Sequence, residues 1–162
     1  MTLKHLGLLT LLAALPGLSA RASTVSLMVI ETGRNGAEVP GESSLLWENS
    51  LIDACFEAGH IVTNAPVLSL EKQLTGDIPR EAGIDLDEAV RGGMDYLIIA
   101  LLDYKKLEGN FSLAGVSLKL FKTLPYRKIF EQAVSPARPA VQKEERENAR
   151  KAALSLISHI EG

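Results

Sequence analysis

Gly92-Gly-Met-Asp-Tyr-Leu-Ile-Ile-Ala-Leu-Leu-Asp103 carries an unbroken apolar run between two aspartates. Paired glycines precede it and strand-forming residues fill it. A short continuous run of this kind reads as a strand buried on both faces. Such a strand belongs inside a sheet that is covered by helices. The residues before it support that reading. Asp85-Leu-Asp-Glu88 is a capping box, so a short helix opens there and stops at Gly92-Gly93.

Working towards the amino end, Val67 to Gly83 reads as irregular, with one helical turn expected over Ser69 to Leu74. His60-Ile-Val-Thr-Asn-Ala-Pro66 is a strand that stops before the proline. A helix from Ser43 or Ser44 to Gly59 precedes it, with either serine as its cap. Helical spacing puts Leu45, Trp47, Leu51, Ile52, Ala54, Cys55, Phe56 and Ala58 on one broad apolar side. Asn49, Asp53, Glu57 and His60 fall opposite. Thr24-Val-Ser-Leu-Met-Val-Ile-Glu31 is a further strand, apolar on both faces in its middle. Thr32 to Gly41 is a glycine-rich loop.

Towards the carboxyl end, Glu108-Gly109-Asn110 is a turn signal. Phe111 to Lys122 and Arg127 to Ser135 are strands joined by a second turn at Thr123 to Tyr126. A last helix is expected from Val141 to Ile160, with Ala149, Ala152, Ala153, Leu156, Ile157 and Ile160 as its buried stripe. The order βαβαβ-ββ-α predicts an α/β (α+β) domain. Its mixed sheet of about five strands should have the first three parallel and helices packed on it.

At the start of the chain, Lys4 and His5 precede the apolar run Leu6 to Leu15. Pro16-Gly17 breaks that run, and Ala20-Arg21-Ala22 follows. A basic start, a short apolar core and an A-x-A site make residues 1–22 a secretory signal peptide, with 23–162 as one domain. The run is about ten residues, half what a spanning helix needs, so no membrane span should remain after cleavage. The expected location is periplasmic or secreted. Cutting after Ala22 removes Lys4 and Arg21 and no acid, which takes the net charge from −3 to −5. An acidic surface disfavours nucleic acid as a partner. One cysteine, Cys55, excludes an internal disulfide.

The element order resembles a group of bacterial envelope proteins: the curli secretion channel, the activators of penicillin-binding proteins, and the amino-terminal domain of the Tol-Pal translocation protein B. Three pieces carry the resemblance. They are helix Leu45 to Gly59 leading straight into His60-Ile-Val, Gly92-Gly-Met-Asp-Tyr-Leu-Ile-Ile99, and the hairpin of Val116-Ser-Leu-Lys-Leu-Phe121 with Arg127-Lys-Ile-Phe-Glu-Gln132. The resemblance implies an envelope accessory protein with a protein partner. It transfers no catalytic residues. No Cys follows the leader, so the lipid anchor common in the channel and activator members is not expected here.

Candidate chemistry is thin. Gly36-Ala-Glu-Val-Pro-Gly-Glu-Ser43 has the glycine spacing of a phosphate loop, but Glu42 stands where the lysine should be. Asp53, Cys55, Glu57 and His60 include metal-ligating types. Cys55 faces the apolar side, however, and a second E-x-x-H with its further carboxylates is lacking. After leader removal only His60 and His159 remain as imidazoles, and no G-x-S-x-G accompanies them. Asn110-Phe-Ser112 matches a glycosylation sequon and reads here as a hairpin turn. Trp47 reads as core. No catalytic, cofactor-binding or metal residue is therefore assigned, and a non-enzymatic role is expected. The glycine-rich loop puts Arg34 and Asn35 at the carboxyl end of the first strand, outside both apolar faces. They are the candidate partner contacts, with side chains expected to have little packing role. A hydrolase with a dispersed site, or a subunit of an envelope secretion assembly, are the alternatives.

Overall fold

The computed structural model describes residues 22–34, 39–71, 74, 76–135 and 142–161. Strand β1 (Thr24–Thr32) is the hub of the sheet. Helix α1 (Glu42–Glu57) and strand β2 (Ile61–Asn64) follow it, with β2 parallel to the first half of β1. Strand β3 (Leu68–Leu70) then pairs in parallel with Ile30 to Thr32 on the same edge. Two short helices, α2 (Ile78–Glu81) and α3 (Leu86–Arg91), lead back to β4 (Tyr96–Leu107), parallel to β1 on its other side. Antiparallel β5 (Asn110–Lys122) and β6 (Arg127–Val134) extend the sheet, and α4 (Gln142–Ile157) closes the chain. The order across the sheet is β2-β1-β4-β5-β6, with β3 beside β1.

The fold class is as expected, with one strand more. Pro66 ends β2 before it can cover the upper half of β1. That leaves backbone groups of Ile30 to Thr32 open on a central strand, where unpaired polar groups are costly. Leu68 to Leu70 fills the gap as strand, not as the helical turn expected there.

Period two along β1 and β4 sorts their side chains to two layers. Val25, Leu27, Val29, Tyr96, Ile98, Ala100 and Leu102 face α1 and α4, where Trp47, Leu51, Ala54, Cys55 and the α4 stripe meet them. Ile30, Leu97 and Ile99 face the other way, against Ile78, Phe121 and the 68–94 segment. Trp47 is core, as its spacing predicts, at 1% exposure. The apolar side of α1 is narrower than expected. Leu45 and Phe56 are exposed, while Ser44 and Glu48 are buried. Glu48 accepts a hydrogen bond from Asn64 Nδ2 at 2.9 Å, which satisfies it beside β2. Asp85 caps α3 by accepting from the Glu88 amide at 2.9 Å, as its spacing predicts.

The path places α1 on one face and α2 and α3 on the other. The sheet thus reverses winding between β1 and β4, and the carboxyl ends of those strands form its topological switch point.

Candidate functional site

β1 runs out at that switch point with Glu31 and Thr32. Glu31 is in register with Val25, Leu27 and Val29, so the pleat turns its carboxylate towards α1, where it has no solvent exposure. It is not left unpaired. Glu31 Oε1 accepts from the Gly41 amide at 2.7 Å. Oε2 accepts from Arg34 Nη1 at 2.9 Å and from Ser69 Oγ at 3.0 Å. Burial pushes this carboxyl up. The hydrogen bonds from Ser44, Gly41, Arg34 and Ser69 outweigh it and hold the group below its ordinary value.

Arg34 folds back to make that contact. Gly33, at φ +79°, turns the chain and lies against the Tyr104 carbonyl oxygen. The guanidinium then sits 5.2 Å from the Tyr104 ring centroid and 5.6 Å from that of Phe111, and Nη1 also donates to the Val39 carbonyl at 2.9 Å. Tyr104 keeps the inward phase of Tyr96, Ile98, Ala100 and Leu102 along β4, while the extra residue where the pairing shifts, Ala114, lies on β5. Its hydroxyl shares a 2.9 Å hydrogen bond with Ser44 Oγ. Burial raises its pKa; the Ser44 hydrogen bond opposes that and the Glu31 charge adds to it. On the other face, Thr32 Oγ1 donates to Asp103.

The structure therefore corrects the expectation that the Arg34 side chain has little packing role. That side chain is 13% exposed and ties β1 to β4, β5 and the loop. Asn35 lies outside the described residues. So do residues 36–38 of the phosphate-loop near-match. Within the rest of that near-match, Glu42 is exposed, and the Gly41 amide at the start of α1 is already taken by a carboxylate, where a phosphate loop would offer it to an anion. Ser43 and Ser44 do not cap the helix. Gly41 occupies the cap position and Ser44 turns to Tyr104 instead.

The other candidates stand apart. Cys55 is buried in the α1 layer, and burial pushes its thiol up to about 12. Glu57 is exposed and forms a two-point ion pair with Arg150 at 3.0 and 2.8 Å. His60 is buried beyond the end of α1, not at the surface. Its Nδ1 finds no hydrogen-bond partner among the described residues, and burial lowers its pKa. His159 is exposed, lies tilted against Phe130 with ring centroids 4.4 Å apart, and places Nδ1 2.9 Å from the Ser155 carbonyl. The Ser158 hydroxyl donates to that same carbonyl at 2.7 Å. No group of three or more metal-ligating side chains converges among the described residues.

Cys55 yields the first expected result. A thiol pushed so far up is protonated and shielded at neutral pH. It should react with a thiol reagent at least a hundredfold (order of magnitude) more slowly in native protein than in denaturant, since opening must precede reaction. Comparable rates in the two conditions would mean that this helix face is not packed.

Sequence reasoning missed Glu31, Ser44, Ser69 and Tyr104 as one cluster. A signal for Glu31 existed, because the acid falls in phase with the inward-facing residues of its strand and so demands buried partners.

No family model and no curated protein matches this chain. Among solved structures it is similar to the PelC dodecamer from Paraburkholderia phytofirmans, at 13% identity over 88% of this chain and 90% of that one, with a TM-score of 0.48. It is similar to TolB from Acinetobacter baumannii at 12% identity over 86% of this chain and 28% of that one, with a TM-score of 0.47. A third is the lipoprotein GNA1162 from Neisseria meningitidis, at 10% identity over 85% and 99%, with a TM-score of 0.48. TolB is among the proteins that the sequence pattern resembles. Likeness at this level carries no argument about function.

Proposed function

We propose that this chain is an exported, non-catalytic accessory protein of the bacterial envelope that works through protein–protein contacts. The observation that carries this reading is the arm made by β4 and β5. β1 leaves β4 at Asp103, and the two antiparallel strands continue beyond it to Leu107 and Asn110. The arm is braced by Arg34 and ends in exposed apolar side chains. Leu107 is 58% and Phe111 37% exposed, and Val39, whose carbonyl Arg34 holds, is 72% exposed. Exposed apolar groups on a projecting arm favour a partner, with Phe111 on the face that carries Arg34 and Leu107 on the other. The leader at residues 1–22 supports export, and no helix among the described residues is long and apolar enough to cross a membrane. The hydrolase alternative would be favoured by an imidazole set beside a serine and a carboxylate. Neither His60 nor His159 has that setting among the described residues, and no observation favours it.

Two measurements test the proposal. Amino-terminal sequencing of protein from its own cell should read from Ser23; an intact Met1 in a soluble cytoplasmic fraction would end the export reading. A photo-cross-linking residue at Leu107 should give a discrete adduct in intact cells, and the same residue at exposed Lys151 on α4 should not. Absence of any adduct at Leu107, Val39 and Phe111 alike would overturn the contact reading.

A further inference from the structure

At the pole opposite the arm, the residue that leader cleavage would expose is already part of the fold. Ser23 is 7% exposed whereas Ala22 is exposed. The Ser23 hydroxyl donates to the Glu161 carbonyl at 3.0 Å, and its own carbonyl accepts from the Ile61 amide at 3.0 Å. The next amide, Thr24 N–H, donates to Asp95 Oδ2 at 2.9 Å, and Asp95 N–H donates to the Thr24 carbonyl at 2.9 Å. Ala22, Ser23, Asp95, Tyr96, Lys122 and Glu161 share the lining of one open cavity of about 350 Å³.

Two carboxylates and one ammonium line that cavity. Lys122 Nζ is committed to Glu161 Oε2 at 3.0 Å and lies 5.9 Å from the Tyr96 ring centroid. Asp95 forms no ion pair among the described residues. Both carboxylates are exposed, and Asp95 has room for a cation beside the Thr24 amide it holds.

We infer that cleavage after Ala22 supplies it: the new α-ammonium of Ser23 pairs with Asp95 and Glu161 and locks the amino end of β1. The inference rests on the proposed export. Hydrolysis of the Ala22–Ser23 bond by a leader peptidase consumes one water. Its hydroxyl goes to the Ala22 carbonyl carbon and its proton to the Ser23 nitrogen; the new Ala22 carboxyl then ionises, and the proton it gives up makes the amine an ammonium. A neutral amide becomes a charged group with three donors. Consecutive Cα atoms are about 3.8 Å apart, so this group lies within a few ångströms of the carboxylate that holds the Thr24 amide. The precursor lacks the charge, so processing and folding reinforce each other.

The test uses residues 23–162 released from an amino-terminal fusion by a protease that leaves Ser23 first. A matching form is acetylated at that nitrogen. At pH 6.5 the free-amine form should melt about 1–3 °C higher, the shift expected for an ion pair to exposed carboxylates in a domain of this size. In the Asp95→Asn, Glu161→Gln double variant, free and acetylated forms should melt together. The groups facing the ammonium are Asp95, Tyr96, Lys122 and Glu161, with Arg127 acting on Glu161 and His60, whose pKa burial lowers, beside Ile61. The two carboxylates raise its folded pKa above the ordinary value of about 8. The difference between the forms is therefore complete below about pH 7 and fades as pH rises through that folded pKa. Equal melting of the free and acetylated forms at pH 6.5 would overturn the inference. Because the chain start is set in vitro, that failure is distinct from cleavage elsewhere in the cell, which amino-terminal sequencing reads.

Discussion

Replacing Glu31 with alanine is expected to cost about 3–5 kcal/mol, the usual penalty for removing one partner of a buried charge pair. The carboxylate has no solvent exposure and accepts from Gly41, Arg34 and Ser69. Its loss leaves the Arg34 side chain, 13% exposed, with no counter-charge among the described residues, and frees the amide that starts α1. Equilibrium urea unfolding reads the effect directly. Glu31→Gln keeps the shape and one acceptor, so about 1–3 kcal/mol of loss is expected from that variant. The pH dependence follows from the direction of the Glu31 shift. Its folded pKa is held below the ordinary value, so the stability it contributes is present above about pH 4.5 and is lost as pH falls through the folded pKa. The Gln variant lacks that component, and its stability should fall less steeply below pH 4.5 than that of the parent. Parallel acid profiles for the two proteins would show that Glu31 is not held as its hydrogen bonds imply.

What was legible in the sequence is what local pattern controls. The run Tyr96 to Leu102, the Asp85 cap and the Ala149 to Ile157 stripe each carry their meaning within a few residues, and each appears in place. β3 was not legible. Three residues are too few to show a period, and Leu68 to Leu70 is strand only because Pro66 left part of β1 uncovered. The cluster around Glu31 was half legible. Its inward phase is local, but Ser44, Ser69 and Tyr104 meet there through three different elements. Arg34 was misread for the same reason. A polar residue in a glycine-rich loop has the sequence signature of a free side chain, and only the fold brings Tyr104 and Phe111 beneath it. α1 shows the limit of helical spacing. It names a broad apolar arc, and the width of the sheet decides that Leu45 and Phe56 stay outside.

Gly33→Ala is expected to be the most damaging glycine change, and Gly59→Ala is the control that isolates why. Both positions are left-handed, at φ +79° and +81°, so both variants bear the same backbone strain of about 1–2 kcal/mol. Their surroundings differ. Nothing lies within 4 Å of a methyl group at Gly59, whereas one at Gly33 would overlap the backbone carbonyl oxygen of Tyr104. A backbone oxygen in a paired strand cannot swing aside as a side-chain tip can, so the loop must lift from β4. That adds about 1–3 kcal/mol, the range for overpacking, and draws Arg34 off Tyr104 and Phe111. The loss of Gly33→Ala should therefore exceed that of Gly59→Ala by at least about 1 kcal/mol in urea unfolding. Cross-linking at Leu107 should also weaken in the Gly33 variant alone, because the brace of the arm goes with the loop. Equal losses for the two variants would mean that the loop is not pressed on β4. The arm would then lack the brace from Arg34 on which the contact reading rests.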